Sequence, residues 1–228
     1  MLAVTSTHRL KLMPPVLTLG PLSMPTYTGL LTLAIGLAAL IGWWLWGGPG
    51  RTWAALCLVT LIGGVLGGRL AHVLDHWDYF QTALGEAIRV NGGGIDWWGA
   101  VLGGIAGAAL GARLCRTPFL PVLDALTPAL PLLALAGSVG CSAVACAYGK
   151  EIPTLAGVSG WVAAELPDVY GLPAPRYQTQ LWMALWSLGL LALTGLLFWR
   201  GWLRRGRFWL VLALLTLGMA LIGPFRAA

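Results

Sequence analysis

Three polar clusters interrupt an otherwise apolar chain, and each holds side chains that can do chemistry. Gly67-Gly68-Arg69-Leu70 sets a guanidinium among glycines. The stretch from Gly137 to Lys150 carries Ser138, Gly140, Cys141, Cys146, Tyr148 and Gly149. Arg176-Tyr177-Gln178-Thr179-Gln180-Leu181 places a second guanidinium beside two amides and a hydroxyl. A guanidinium offers five N–H donors in a rigid fork that suits a phosphate or a carboxylate. Arg176 reads equally as a functional group or as an interfacial anchor whose charge reaches headgroups. Arg69 lies deeper and needs a specific partner, either a lipid phosphate or Asp75.

Cys141 and Cys146 are five residues apart, so on a continuous helix they diverge by more than a turn. A bridge between them requires the helix to break. The preferred reading is two small buried residues. The alternative is a redox pair, if the compartment they face is oxidising. Cys57 and Cys115 fall inside or at the end of apolar runs, and His8, His72 and His76 are scattered. No CxxC spacing occurs, so neither a metal nor another cofactor is expected.

The elements that must position these clusters are apolar runs near 28–46, 53–74, 97–114, 122–147, 179–199 and 208–225. Each is close to the ~20 residues that cross a ~30 Å hydrocarbon core, and in lipid each must be helical. With 58% hydrophobic and 10% charged residues, the chain is far from a soluble composition. The expectation is an all-α polytopic transmembrane bundle in one domain, 1–228, with about six spanning helices. An N-terminal segment, Leu10–Leu22, is expected to lie along the interface. No cleavable signal peptide is read in Met1–Pro15, so the first span serves as the insertion signal.

A net charge of +6 is assigned to topology and anionic lipid, not to nucleic acid. Arg51, Arg113, Arg116, Arg200, Arg204, Arg205 and Arg207 fall in alternate links, which makes that side cytoplasmic and puts both termini outside. The outer links, about Asp75–Asp96 and Lys150–Arg176, are the long ones and the expected seat of binding. Asn91–Gly94 is read as a tight re-entry. Gly99, Gly103, Gly107 and Gly111 form a smooth face read as helix packing, with room for an acyl chain as the alternative. Asp124 is read as capping or orienting the fourth span. Intramembrane acids are nearly absent, which disfavours a transporter.

Taken in order, Pro15–Gly29, Gly67–Leu74, Gly93–Gly103, Phe119–Gly149 and Arg176–Leu181 resemble the prolipoprotein diacylglyceryl transferase family. The resemblance covers most of the chain. It implies a bacterial inner-membrane, multi-pass protein that takes phosphatidylglycerol and passes its diacylglyceryl group to a lipoprotein cysteine. It also implies that Arg69, Tyr148, Gly149, Arg176, Thr179 and Gln180 hold a lipid headgroup.

The family histidine falls on Trp98, which has no basic nitrogen. A family arginine falls on Ser138, the next asparagine on Cys141, an acidic residue on Cys146 and a second arginine on Leu221. The family tyrosine falls on Thr28, beside Tyr27. No confident catalytic residue remains, because general-base catalysis alone is worth ~10²–10⁴-fold. The reading taken is a non-catalytic or repurposed lipid-binding or accessory subunit. Its expected partners are a phospholipid and either a lipoprotein precursor or a larger membrane complex that could supply a further helix. An active transferase is the alternative. Trp97 and Trp98 are read either as interfacial belt residues or as plugs of a cavity.

Overall fold

The computed structural model describes residues 16–19, 22–89 and 93–227. An antiparallel pair, β1 (Val16–Leu19) and β2 (Leu22–Pro25), leads into α1 (Thr26–Trp46). Then come α2 (Gly50–Asp75), two single-turn helices α3 (Trp77–Phe80) and α4 (Leu84–Ala87), and α5 (Trp97–Leu114). α6 (Phe119–Leu126) and α7 (Ala129–Val144) precede a hairpin of β3 (Ala163–Pro167) and β4 (Pro173–Tyr177). α8 (Thr179–Trp199), α9 (Arg207–Ile222) and a 3₁₀ turn (Gly223–Phe225) follow.

This is an all-α multi-pass membrane protein with small sheets. Among the described residues, five helical stretches are long and apolar enough to cross a bilayer: Thr26–Trp46, Gly50–Asp75, Phe119–Val144, Thr179–Trp199 and Arg207–Phe225. The sixth expected run is the helix α5, whose glycines and tryptophans dilute its hydropathy. Observed starts move outward by up to three residues because Pro25 and Pro49 precede the first turns of α1 and α2, where a residue without N–H is tolerated. The fourth run is corrected more. It begins at Phe119, breaks around Thr127-Pro128 and stops at Val144 instead of Ala147. Pro128 cannot donate to a helix ladder, and Ala145 is left-handed at φ 54°. The Met1–Pro15 reading and Asn91-Gly92 of the re-entry lie outside the described residues. Of the Leu10–Leu22 segment, 16–19 and Leu22 are in strands.

Contacts gather the chain into two compact units. The first comprises the described parts of Met1–Ala38, Thr127–Leu203 and Trp209–Ala228; the second comprises Ala39–Leu126 and Arg204–Phe208.

In the second unit α2 and α5 meet through glycine. A Cβ on Gly63 would lie 2.4 Å from the Gly103 oxygen, one on Gly67 2.5 Å from the Gly99 oxygen, and one on Gly107 2.5 Å from the Val59 oxygen. The glycine face is therefore filled by backbone, as the packing reading requires. Asp96 caps α5 by accepting from the Gly99 N–H (2.8 Å), and its own N–H donates to the Gly68 carbonyl (3.0 Å). Asp124 accepts from the Arg205 N–H at 2.6 Å and faces the Arg207 guanidinium at 3.7 Å. It thus orients a basic link.

In the first unit Trp186 of α8 donates to the Leu214 carbonyl of α9 (3.0 Å), over Gly218. Small polar residues lie inside: Ser187 and Thr194 are buried and donate to the Met183 and Leu190 carbonyls (both 2.7 Å). Leu33 and Trp199 of this unit are exposed, as are Trp44, Leu66 and Leu102 of the second. Large apolar groups outside and small satisfied ones inside is the distribution lipid selects.

Candidate functional site

The end of α7 is where one cluster forms. Ala145 N–H and Cys146 N–H both return to the Cys141 carbonyl, closing the helix. Cys141 and Cys146 are joined by a disulfide with Cα atoms 4.6 Å apart. The preferred reading of two unlinked small residues is corrected: the helix breaks at Ala145, which removes the geometric objection to a bridge.

The first turn of α8 holds this break in place. Gln180 Nε2 donates to the Cys141 and Cys146 carbonyls, and the Thr179 hydroxyl donates to the Ala147 carbonyl (2.9 Å). The Gln180 amide and the Thr179 hydroxyl are both spent on backbone.

Residues 148–151 then make two isolated β-bridges, Gly149 with Arg226 and Glu151 with Arg176. Lys150 N–H donates to the Phe225 carbonyl (2.8 Å), Ala227 N–H to the Tyr148 carbonyl (3.0 Å) and Tyr177 N–H to the Lys150 carbonyl (3.2 Å). Gly149 is required here, since a Cβ would lie 2.2 Å from the Tyr177 oxygen. On one flank sits Arg176, 5% exposed. Its Nη2 donates to Glu151 Oε1 (2.6 Å) and lies 3.5 Å from Asp168 Oδ2. Its guanidinium carbon stacks 4.8 Å from the Tyr148 ring centroid. Asp168 also accepts the Tyr170 and Leu172 N–H groups (both 2.9 Å), which folds the hairpin turn around the ion pair. On the other flank Arg226 pairs with Gly149. The Nε atoms of both Arg176 and Arg226 are buried with no hydrogen-bond partner among the described residues. Desolvation pushes the Arg226 guanidinium down from its ordinary value. Sequence reasoning missed Arg226, whose one signal is the Gly-Pro-Phe-Arg break that ends the last apolar run.

Arg69 belongs to the second unit and has partners of its own. Nε donates to the Ala87 carbonyl (2.9 Å), Nη1 to Gly93 (2.9 Å) and Gly94 (3.1 Å), and Nη2 to Glu86 (2.6 Å). Phe80 lies beneath it at 5.2 Å. Asp75 is not its partner, because that carboxylate faces His76 at 3.6 Å. Gly93 and Gly94 take φ 86° and 78°, and a Cβ on Gly94 would strike Arg69 and His72. The link is therefore threaded around the arginine. Tyr79 donates to Glu86 Oε2 (2.5 Å), and that carboxylate raises the phenol above its usual pKa.

The other residues weighed in the sequence are also placed. Trp98 is 53% exposed, so the plug reading is corrected: its ring is on the surface. Ser138 is buried and donates to the Ala134 carbonyl (2.7 Å). Leu221 is exposed, and Tyr27 packs on Gly140. No group of three metal-ligating side chains occurs among the described residues.

Comparison with known proteins follows this geometry. The family model for prolipoprotein diacylglyceryl transferase matches residues 14–227. A phosphatidylglycerol–prolipoprotein diacylglyceryl transferase of Mycobacterium leprae is 37% identical over 140 residues, 58% of this chain and 42% of that protein. The Streptomyces coelicolor transferase 1 is 29% identical over 182 residues, 76% of this chain and 51% of its own length. The Mycobacterium tuberculosis transferase is 35% identical over 140 residues, 58% of this chain and 30% of that protein. The matched stretch thus spans about half or less of these relatives.

Proposed function

We propose, for a chain that belongs to the prolipoprotein diacylglyceryl transferase family, a lipid-binding accessory role that keeps the scaffold and not the transfer reaction. The observation that carries it is the pair of arginine Nε donors, on Arg176 and Arg226, each buried without an acceptor among the described residues at the bridges that Glu151 and Gly149 make. A buried donor left unpaired costs about 1–3 kcal/mol, so a ligand that brings oxyanion oxygens there is favoured. A phospholipid phosphate, in this family that of phosphatidylglycerol, supplies such oxygens next to an apolar exterior. Tyr148, Gly149, Thr179 and Gln180 shape the wall of this place. Arg69 braces its own link.

We read loss of transfer from chemistry rather than from packing. A thiol must become a thiolate to attack, and the indole of Trp98 cannot take its proton. Cys141 and Cys146 are tied in a bridge at two further family positions. The protein is read as sitting in the bacterial inner membrane with both termini outside, and as serving a lipoprotein precursor or a larger membrane complex. An active transferase is the second reading. What favours it is the presence of Arg69, Tyr148-Gly149, Arg176 and Gln180 in a chain that is 37% identical over 140 residues to a named transferase.

The test uses the purified full chain with phosphatidylglycerol vesicles and a lipobox peptide. Lipid that co-purifies with wild type and is depleted at least tenfold in Arg226→Ala, with no peptide modified above background, agrees with the accessory role. Peptide modification well above background selects the transferase. Equal lipid retention by wild type and Arg226→Ala removes the proposed headgroup contact.

A further inference from the structure

Ala145 (φ 54°) and Ala147 (φ 52°) flank Cys146 in the left-handed region, which an alanine rarely occupies. A backbone held there must be over-determined by its surroundings. Four constraints do so. They are the Cys141–Cys146 bridge, the Cys146 N–H to Cys141 carbonyl bond (3.0 Å), the Gln180 amide across both cysteine carbonyls, and Thr179 on the Ala147 carbonyl. Only the bridge is a bond that the chemical environment can make or break. Without it, Ala143-Val144-Ala145-Cys146-Ala147 is a sequence that continues a helix, because alanine is the best helix former. With it, continuation is forbidden, because cysteines five apart diverge on a helix. The segment therefore has two incompatible conformations selected by one covalent bond.

We infer that Cys141–Cys146 is a reducible latch that sets whether Tyr148 stacks on Arg176. The reductant class is a small or protein-borne dithiol, and both cysteines are half-buried and open to it. One thiolate of the dithiol attacks a bridge sulfur, breaking the Cys141–Cys146 S–S bond and forming a mixed disulfide. Its second thiol then displaces the bound cysteine. The donor leaves as a disulfide, and its two electrons and two protons end on the Cys141 and Cys146 thiols. α7 then extends through Ala147. Tyr148 moves with the chain, and its stacking on Arg176 and its pairing with Ala227 are lost. This inference does not depend on whether a lipid binds at Arg226.

The test takes the full chain in detergent micelles, with thiols blocked by N-ethylmaleimide at cell lysis. Denatured protein is expected to carry two adducts, on Cys57 and Cys115, and four if treated with dithiothreitol first. On reduction, amide hydrogen exchange at 145–147 is expected to slow at least tenfold as helix forms. Exchange at 148–151 and 176–177 is expected to quicken at least tenfold. C141A/C146A is expected to match reduced wild type without reductant, with helical circular dichroism retained. If that variant does not fold, wild type cycled through dithiothreitol and oxidised glutathione must show the same exchange changes reversibly. Four adducts without reductant, or exchange rates within twofold in the two redox states, overturn the latch.

Discussion

Arg69 and Arg176 look alike in the sequence: each follows small or rigid residues at the rim of an apolar run, and each could meet a phosphate. Their surroundings differ in kind. Arg69 gives its donors to four carbonyls, neutral acceptors that belong to the link it braces. Arg176 is buried against two carboxylates and an aromatic face, with Nε unpaired among the described residues. The first arginine organises a loop that could still be hydrated without it. The second is part of a charge balance that fails if any member goes, because a lone buried charge is costly. A guanidinium's role thus follows from the charge of what faces it.

Arg176→Ala is the sharpest way to break the contrast. It leaves Asp168 unpaired beneath the hairpin, and a loss of about 3 kcal/mol is expected, read as the thermal midpoint in detergent. A loss below about 1 kcal/mol would place Arg176 among surface pairs instead. Gly149→Ala follows at about 2 kcal/mol, because its methyl meets the Tyr177 backbone, which has little freedom to yield. Arg69→Ala should cost about 1–2 kcal/mol, since the freed carbonyls can find water. Its distinguishing sign is faster hydrogen exchange confined to 84–96. A destabilisation as large as that of Arg176→Ala would erase the distinction.

The smallest effect is a titration on Arg69's side of the comparison. Tyr79 donates its phenolic proton to Glu86, whose main-chain carbonyl also holds Arg69. The raised Tyr79 pKa means that this bond stabilises below the ordinary phenol pKa. The stabilisation is lost as pH rises through the raised value. Glu86→Gln is expected to bring the phenolate absorbance transition of Tyr79 back down. An unchanged transition would deny the contact.

Much of the fold was legible because hydropathy in lipid leaves few choices. Runs whose backbone finds no water must satisfy it internally as helices, and the apolar runs near 97–114 and 179–199 are the helices α5 and α8. The break in the fourth run was less legible. Pro128 announces it, whereas nothing local announces a left-handed Ala145, whose propensity points the other way. The hairpin of β3 and β4 was read only as a long link, since Ala-Ala-Glu-Leu-Pro and Pro-Ala-Pro-Arg-Tyr carry no strand alternation. Arg176, Tyr148, Gly149, Thr179 and Gln180 were singled out in the sequence, and the fold brings them together beyond the end of α7. Arg226 was not singled out, because an arginine after a Gly-Pro turn looks like any helix end.

Composition and the order of motifs were enough to decide solvent, helix placement and kinship, because these depend on transfer energies and local geometry that each segment carries alone. Which carboxylate answers which arginine, whether two cysteines meet, and that Trp98 faces outward were decided only by the folded chain. Those outcomes depend on distances between residues up to dozens of positions apart, and a chain read in one dimension does not contain distances.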